Sequence, residues 1–353
     1  MDNVFLKFKS FVQELVSPIF TFQMKQAAWY QKTDIIDLTL KIALMNCYAE
    51  GFTNTLREGK NRKRKSTPTS ETLLAYLKTQ TIDDTLQIAK TQIAKCVTQL
   101  TEKGLVLTNV AIAFDWHDVR FYGKHDKEGV VGTKPERGTS YAYCYLTVSI
   151  ITPGKRLVLA VVPLQSRGDL WQIVLPLLDE VLQELKSISY VAFDNGFQDS
   201  KLLQGLMDRN VPFIIPLRDT VKIRRRWKWK RYLKRFNYCT KGVWVDVVEA
   251  VDSKGLQYFI GTNLPGRPKR ILKLYKKRWG IETSYRMIGQ FFAKTTCGCY
   301  AVRVWYFVLA VLLYNWWVLL NARVRNHVIV LRLKLACLWS LPTVPCKLSD
   351  SFG

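Results

Sequence analysis

Apolar residues fall at helical spacing through residues 1–104 and give way to strand-like runs from Leu105. Asp34 to Glu50 forms one helix by this pattern, predicted to stop at Gly51. A basic loop, Gly59-Lys-Asn-Arg-Lys-Arg-Lys65, then leads to Thr67-Pro68. Two more helices are predicted: Ser70 caps the first, Thr81 with Asp84 has capping-box spacing for the second, and Gly104 ends it. Lys78-Thr-Gln-Thr81 between them allows either a helix-turn-helix or an ordinary helical hairpin.

Runs rich in apolar, β-branched and aromatic residues predict strands at Leu105–Asp115, Tyr141–Ile151 and Lys155–Leu164, with Thr152-Pro-Gly154 as a turn between the last two. A helix from about Gly168 to Lys186, a strand at Ile188–Phe193, a helix from about Gln198 to Arg209 and a strand at Val211–Pro216 follow. That order predicts an α/β core, a mixed five-stranded sheet flanked by helices. Val110-Ala-Ile-Ala-Phe114 in the first strand and Tyr190-Val-Ala-Phe193 in the fourth lack polar interruption, as central strands covered on both faces do. Each run ends in an aspartate, Asp115 and Asp194. Two further strands, Val243–Val251 and Gln257–Asn263, are predicted in a β-rich insertion.

Beyond the insertion, Tyr275, Arg278, Glu282 and Arg286 are spaced by three, four and four residues, which keeps them on one face of a helix. Two readings stand: a metal-binding carboxylate beside phosphate-binding cations, or a solvated helix with Arg278–Glu282 and Glu282–Arg286 charge pairs. From Val304 to Leu320 only Asn315 is strongly polar. This run is shorter than the roughly 20 residues of a bilayer span and stands alone in a polar chain, so a helix buried in a large core is expected, and no membrane partner.

The 353 residues and 48% hydrophobic content suffice for a sizeable core and two or three domains. Lys and Arg number 53 against 28 Asp and Glu, a formal charge of +25. A polyanion relieves such self-repulsion; nucleic acid is the leading partner, although an anionic membrane or a ribosomal role fits the total as well. Sixteen basic and four acidic residues between Arg218 and Lys273 place +12 of that charge in one stretch. Within it Arg224, Arg225, Arg226, Lys228, Lys230 and Arg231 alternate with Trp227 and Trp229. As a strand this stretch presents cations to a DNA backbone, and indoles that either stack on bases or pack on the core. Eight scattered cysteines with a single C-x-C, and three histidines, argue against a zinc knuckle or a disulfide scaffold. Lysines at 7 and 9 interrupt the apolar N-terminal run, so no signal peptide is expected, and the expected location is the cytoplasm, on the nucleoid.

Taken singly, Asp115 can end a strand and Asp194 can open a tight turn at Asn195-Gly196 with no function at all. Each carboxylate nonetheless leaves an apolar strand at its carboxyl end, which costs free energy unless a cation or hydrogen bonds compensate. If those strands are adjacent and parallel and the late helix crosses their ends, Asp115, Asp194 and Glu282 meet with few protein cations between them. Three converging carboxylates suit Mg²⁺ or Mn²⁺, and two such ions about 4 Å apart activate a nucleophile and steady the leaving oxygen in phosphodiester displacement. His117, two residues after Asp115, shares its face if the strand persists; it either sits close to the metals, orienting a water, or is a hydrogen-bonded strand-end residue, the commoner case, and it is not counted as a ligand.

Asp115, Asp194 and Glu282, their order on two strands and a late helix, and Tyr275-x-x-Arg278-x-x-x-Glu282 together resemble the DDE transposases of prokaryotic insertion sequences. More narrowly, residues 105–322 are similar to the cut-and-paste group with the Tyr-Arg-Glu-Lys signature. The resemblance implies an RNase H-like core with a β-rich insertion before the catalytic glutamate helix. It implies that Asp115, Asp194 and Glu282 bind two Mg²⁺ ions, with Mn²⁺ a substitute, which activate water to nick a transposon end and then the freed 3′-hydroxyl for strand transfer. Tyr275 and Arg278 then hold phosphates near the cleaved end. Double-stranded DNA, as inverted-repeat ends and as target, is the implied partner, bound by a homodimer.

One position departs from the signature: Gly289 stands where the lysine belongs. Arg286 is the favoured replacement and Lys294 the second; a catalytically decayed transposase acting as a DNA-binding protein is the alternative. The expected domains are a helical, DNA-binding 1–104; core residues 105–216; a basic insertion, 217–266; core completion by the Glu282 helix and the apolar helix, 267–325; and a C-terminal segment, 326–353.

Overall fold

The computed structural model describes residues 17–25, 28–57, 67–104, 108–154, 156–185, 187–229, 234–323 and 327–340. The basic loop 59–65, Lys230 and Arg231 lie outside these. In chain order the helices are α1 (Lys32–Met45), α2 (Ala49–Arg57), α3 (Ser70–Leu77), α4 (Ile82–Glu102), α5 (Trp171–Glu184), α6 (Ser200–Asp208), α7 (Val221–Trp229), α8 (Pro268–Lys276), α9 (Gly280–Ile288), α10 (Tyr300–Arg323) and α11 (Val330–Ser340). The strands are β1 (Val110–Arg120), β2 (Val130–Glu136), β3 (Thr139–Ile150), β4 (Val158–Leu164), β5 (Ile188–Ala192), β6 (Phe213–Pro216), β7 (Arg235–Thr240), β8 (Val243–Val251) and β9 (Gln257–Thr262). They fall into two compact units: Met1–Gln99 with Tyr122–Val130 and Arg286–Gly353, and Leu100–Phe121 with Val131–Tyr285.

In the first unit, the single helix expected over Asp34–Glu50 is two. Asn46 takes a left-handed conformation (φ 54°, ψ 41°) that ends α1, and Gly51 lies inside α2. The Asn46 amide donates to the carbonyls of Gly289 (2.7 Å) and Phe292 (2.8 Å), long-range bonds with no local signature. Thr69, one residue before the expected Ser70, caps α3 by accepting from the Thr72 amide at 3.1 Å, and Thr81 caps α4 as expected. Apolar helix α10 is long enough to cross a membrane but is mostly buried, with Asn315 fully so.

The second unit holds a nine-stranded mixed sheet in the order β2-β3-β1-β5-β6-β9-β8-β7, with β4 also paired to β3. Its centre is the parallel trio β1, β5 and β6. Nine strands replace the expected five because the insertion is continuous with the sheet: β9 pairs antiparallel with β6, and β8 and β7 follow. Strand β2, unforeseen, is a polar edge strand containing Pro135, which suits an edge that need not donate a ladder bond. A two-residue turn at Arg137 and Gly138, both with positive φ, joins it to β3.

Strand β1 does not end at Asp115 but runs on to Arg120. Its parallel partner β5 stops at the Ala113–Ala192 pair, while antiparallel pairing with β3 continues to Arg120. Losing one neighbour exposes the strand in part, so burial changes from full to intermediate just after Asp115.

The basic stretch is also corrected, from strand to helix. In α7 the buried Ile223 and half-buried Trp227 stand four residues apart and form the inward stripe, with Trp227 edge-on to Phe259 at 6.3 Å. The period-two alternation of cations and indoles concealed this narrow apolar spacing.

Candidate active site

Register and stacking set the two aspartates side by side. Ala113 pairs with Ala192, and each strand then reads Phe-Asp: Phe114-Asp115 and Phe193-Asp194. The two phenylalanines are fully buried and stack at 5.3 Å with 20° between planes. Burying each ring contributes about 1.5–3 kcal/mol, so the segments that carry the acids are firmly held.

After Asp194 the chain enters a 3₁₀ turn, Asn195–Phe197, at the place where a tight turn was expected. Asp194 precedes this turn without using its carboxylate to cap it. Gly196 is needed for space: a Cβ there would lie 2.4 Å from the Trp116 ring, which also stacks on Phe197 at 4.6 Å. The Asp115-Trp116 and Asp194-Asn195-Gly196 segments therefore pack on each other. The Arg167 guanidinium also lies over Trp116, 5.0 Å from the ring centre, and is ion-paired with Asp118.

The helix expected to run unbroken from Tyr275 to Arg286 is interrupted. Between α8 and α9 lies the 3₁₀ turn Lys277–Trp279, whose tighter pitch rotates Arg278 relative to a straight α-helix. Gly280 follows where a Cβ would come 3.0 Å from Arg156 Nε. Glu282 then falls in the first turn of α9, where the positive end of the helix dipole favours an acid.

This break turns Arg278 inward. Its Nη1 donates to Asp115 Oδ2 at 2.9 Å, and its Nη2 lies 3.8 Å from Asp194 Oδ1 and 3.7 Å from Glu282 Oε1. The three acids thus converge, with one protein cation, Arg278, seated between them where few were expected. Side-chain exposure rises from 8% at Arg278 and 12% at Asp115 to 36% at Asp194 and 60% at Glu282, so the cluster opens to solvent on the Asp194 and Glu282 side. Burial pushes the Asp115 carboxyl up to about 7; Arg278 and the Trp116 amide oppose this, while the Asp194 and Glu282 charges add to it.

Tyr275 is buried and its ring lies 5.9 Å from the Arg278 guanidinium. Arg286 is exposed one turn after Glu282. Gly289 lies beyond the end of α9 in another 3₁₀ turn, and a Cβ there meets no atom within 4 Å. Lys222, Arg224, Arg225, Arg226 and Lys228 are exposed on α7; Arg224 pairs with Asp219. Among the described residues none of these α7 cations pairs with the three acids.

Tyr285 was not foreseen, although its place three residues after Glu282 put it near the same stripe. Its hydroxyl donates to the main-chain carbonyl of Asp115 at 3.0 Å and lies 2.7 Å from Thr147 Oγ1. His117 does share the Asp115 face, and its ring stacks on Tyr285 at 4.7 Å. Burial lowers the His117 pKa, against the Asp118 charge, and so favours the neutral imidazole.

The oxygen donors of Asp115, Asp194 and Glu282 suit a hard divalent cation. Three carboxyl groups face a single guanidinium, so the cluster can accept further cationic charge. Among the described residues no three acid, His or Cys side chains stand close enough to grip one ion directly, because Arg278 is seated between the acids. The set fits such an ion by chemistry and charge, with Arg278 now supplying the compensating cation.

The transposase DDE domain family matches residues 108–316, more than half of the chain and the whole of this site, and the protein belongs to that family. Its fold is similar to that of a piggyBac transposase in a synaptic complex with hairpin DNA, solved by electron cryomicroscopy, with a TM-score of 0.62 and 12% identity over 96% of this chain and 80% of that one. No curated protein sequence matches the chain.

Proposed function

We propose that this transposase is a divalent-metal-dependent DNA nuclease and strand transferase that cuts transposon ends and joins them to target DNA by in-line phosphodiester displacement. The observation that carries the reading is the convergence of Asp115, Asp194 and Glu282 on Arg278, just past the point where the parallel pairing of β1 with β5 ends. The resemblance to the Tyr-Arg-Glu-Lys group of insertion-sequence transposases and to an RNase H-like core belongs to this proposal, as do two Mg²⁺ ions or their Mn²⁺ substitutes.

Asp115, Asp194 and Glu282 would hold those ions, whose chemistry is to acidify an attacking hydroxyl and neutralise charge on the phosphate. Asp115, the most buried of the three, sets the depth of the site, while the exposed Glu282 and Asp194 face incoming DNA. Arg278 offsets part of the carboxylate charge in the ion-free protein and is placed to hold a phosphate once the acids are otherwise compensated, with Tyr275 packed against it. The exposed α7 cations and Arg286 supply sequence-independent backbone contacts, and the α1–α4 segment is a further candidate DNA-binding element. A homodimer on double-stranded DNA brings two transposon ends together, and the nucleoid is the expected location.

A second reading, a decayed transposase that binds DNA without cutting it, is favoured by Gly289 in place of the signature lysine. Incubation with Mg²⁺ and a labelled DNA carrying the element's own ends separates the two. Nicking and joining support the enzyme, and end binding with no strand cleavage in either Mg²⁺ or Mn²⁺ supports the decayed form.

A further inference from the structure

We propose that Tyr285 is a positioning residue that locks the Glu282 helix onto the Asp115 strand, an inference that rests on the metal-dependent reading above. Three elements meet at its hydroxyl. The main-chain carbonyl of Asp115 on β1 accepts its proton at 3.0 Å. Thr147 Oγ1 lies 2.7 Å away on β3, and Thr147 is the direct cross-strand partner of Asp115. A phenol has one proton to give, and Tyr285 gives it to Asp115, so Thr147 must be the donor in the second bond. The result is a directed chain from Thr147 to Tyr285 to the Asp115 carbonyl.

The ring is fixed as firmly as the hydroxyl. His117, two residues after Asp115 on the same strand, stacks on it at 4.7 Å with 29° between planes. Thr147 is fully buried, so no water competes for its hydroxyl. Tyr285 lies three residues after Glu282 on α9, a separation that places both on neighbouring parts of one helical face. A shift of α9 along β1 would therefore break two part-buried hydrogen bonds and a ring stack together. Asp115 and Glu282 come from chain segments far apart in sequence, and a site built from such parts needs a tie of this kind to keep its donors in register.

Mn²⁺ titration of the full chain, followed by the electron paramagnetic resonance signal of free Mn²⁺ with melting temperature recorded in parallel, tests the assignment. Tyr285→Phe keeps the ring and removes both hydrogen bonds; Thr147→Val removes the donor, and Thr147→Ser retains it. Expected are a weakening of Mn²⁺ binding by about 10–100-fold for Tyr285→Phe and Thr147→Val, near-native affinity for Thr147→Ser, and loss of binding for Glu282→Gln. Native affinity in Tyr285→Phe or Thr147→Val, whether or not melting temperature falls, overturns the positioning role and leaves the metal site standing. Native affinity in Glu282→Gln, or no binding by the wild type, overturns the metal reading itself. Should Tyr285→Phe fail to fold, the Thr147→Val and Thr147→Ser pair decides.

Discussion

Arg278 Nη1 donates to Asp115 Oδ2 at 2.9 Å, joining a 3₁₀ turn to a strand 163 residues earlier in the chain. Both groups are largely withdrawn from water. Arg278→Ala is expected to destabilise the ion-free protein by about 1.5–3 kcal/mol, the range for hydrogen bonds to charged groups. The loss stays below the roughly 3–5 kcal/mol of a buried pair with no escape, because Asp115 can take up a proton. Arg278→Lys should recover only part of it, since an ammonium cannot fork toward several carboxylates. Denaturant unfolding in a chelator measures both.

The raised Asp115 pKa has a definite sign for stability. Between its unfolded value of about 4 and its folded value of about 7, the folded state binds more protons than the unfolded state. Stability of the ion-free protein therefore falls as pH rises through that window, with a limiting slope of about 1.4 kcal/mol per pH unit from this group. Asp115→Asn, neutral throughout, should lose this contribution. Comparing wild-type and variant melting temperatures from pH 4 to pH 8 in a chelator reads the difference directly.

Gly196→Ala places a methyl 2.4 Å from the Trp116 ring. A cost of about 1–3 kcal/mol is expected, as for overpacking a filled core. Because the displaced loop carries Asp194, cleavage should fall by more than stability alone accounts for. Gly289→Lys is the contrasting case: the position is open, and a change within about 0.5 kcal/mol is expected. Arg286→Ala should then reduce cleavage in the wild-type background and be rescued by Gly289→Lys, if Arg286 fills the signature lysine's role.

The α7 surface predicts a salt-dependent, sequence-independent contribution to DNA binding. Replacing Arg225, Arg226 and Lys228 with alanine should lower affinity for specific and unrelated duplexes alike. The slope of log affinity against log salt should fall by about 0.9 for each phosphate that the variant no longer neutralises. Fluorescence anisotropy across a salt series supplies the slopes.

The two aspartates were legible because each follows an unbroken apolar run, and Glu282 because a helical repeat joins it to Tyr275 and Arg278. The inward turn of Arg278 was not, since it depends on a 3₁₀ break and on a partner 163 residues away. Strand β2 escaped notice because an edge strand needs no apolar pattern. Helix α7 was misread because its many cations set a period of two, while only Ile223 and Trp227 report the helical stripe. The tight-turn pair Asn195-Gly196 was legible, but the reason a side chain is excluded at Gly196 was not, because it is the Trp116 ring from a different strand.

The claim that three carboxylates form one catalytic site is tested most directly by a nicking assay on the element's own ends in Mg²⁺, with Asp115→Asn, Asp194→Asn and Glu282→Gln compared under conditions where each still binds DNA. Each substitution is predicted to lower the nicking rate by more than about 100-fold, beyond what a supporting outer-shell residue costs. A wild-type nicking rate in any one of the three would contradict the account.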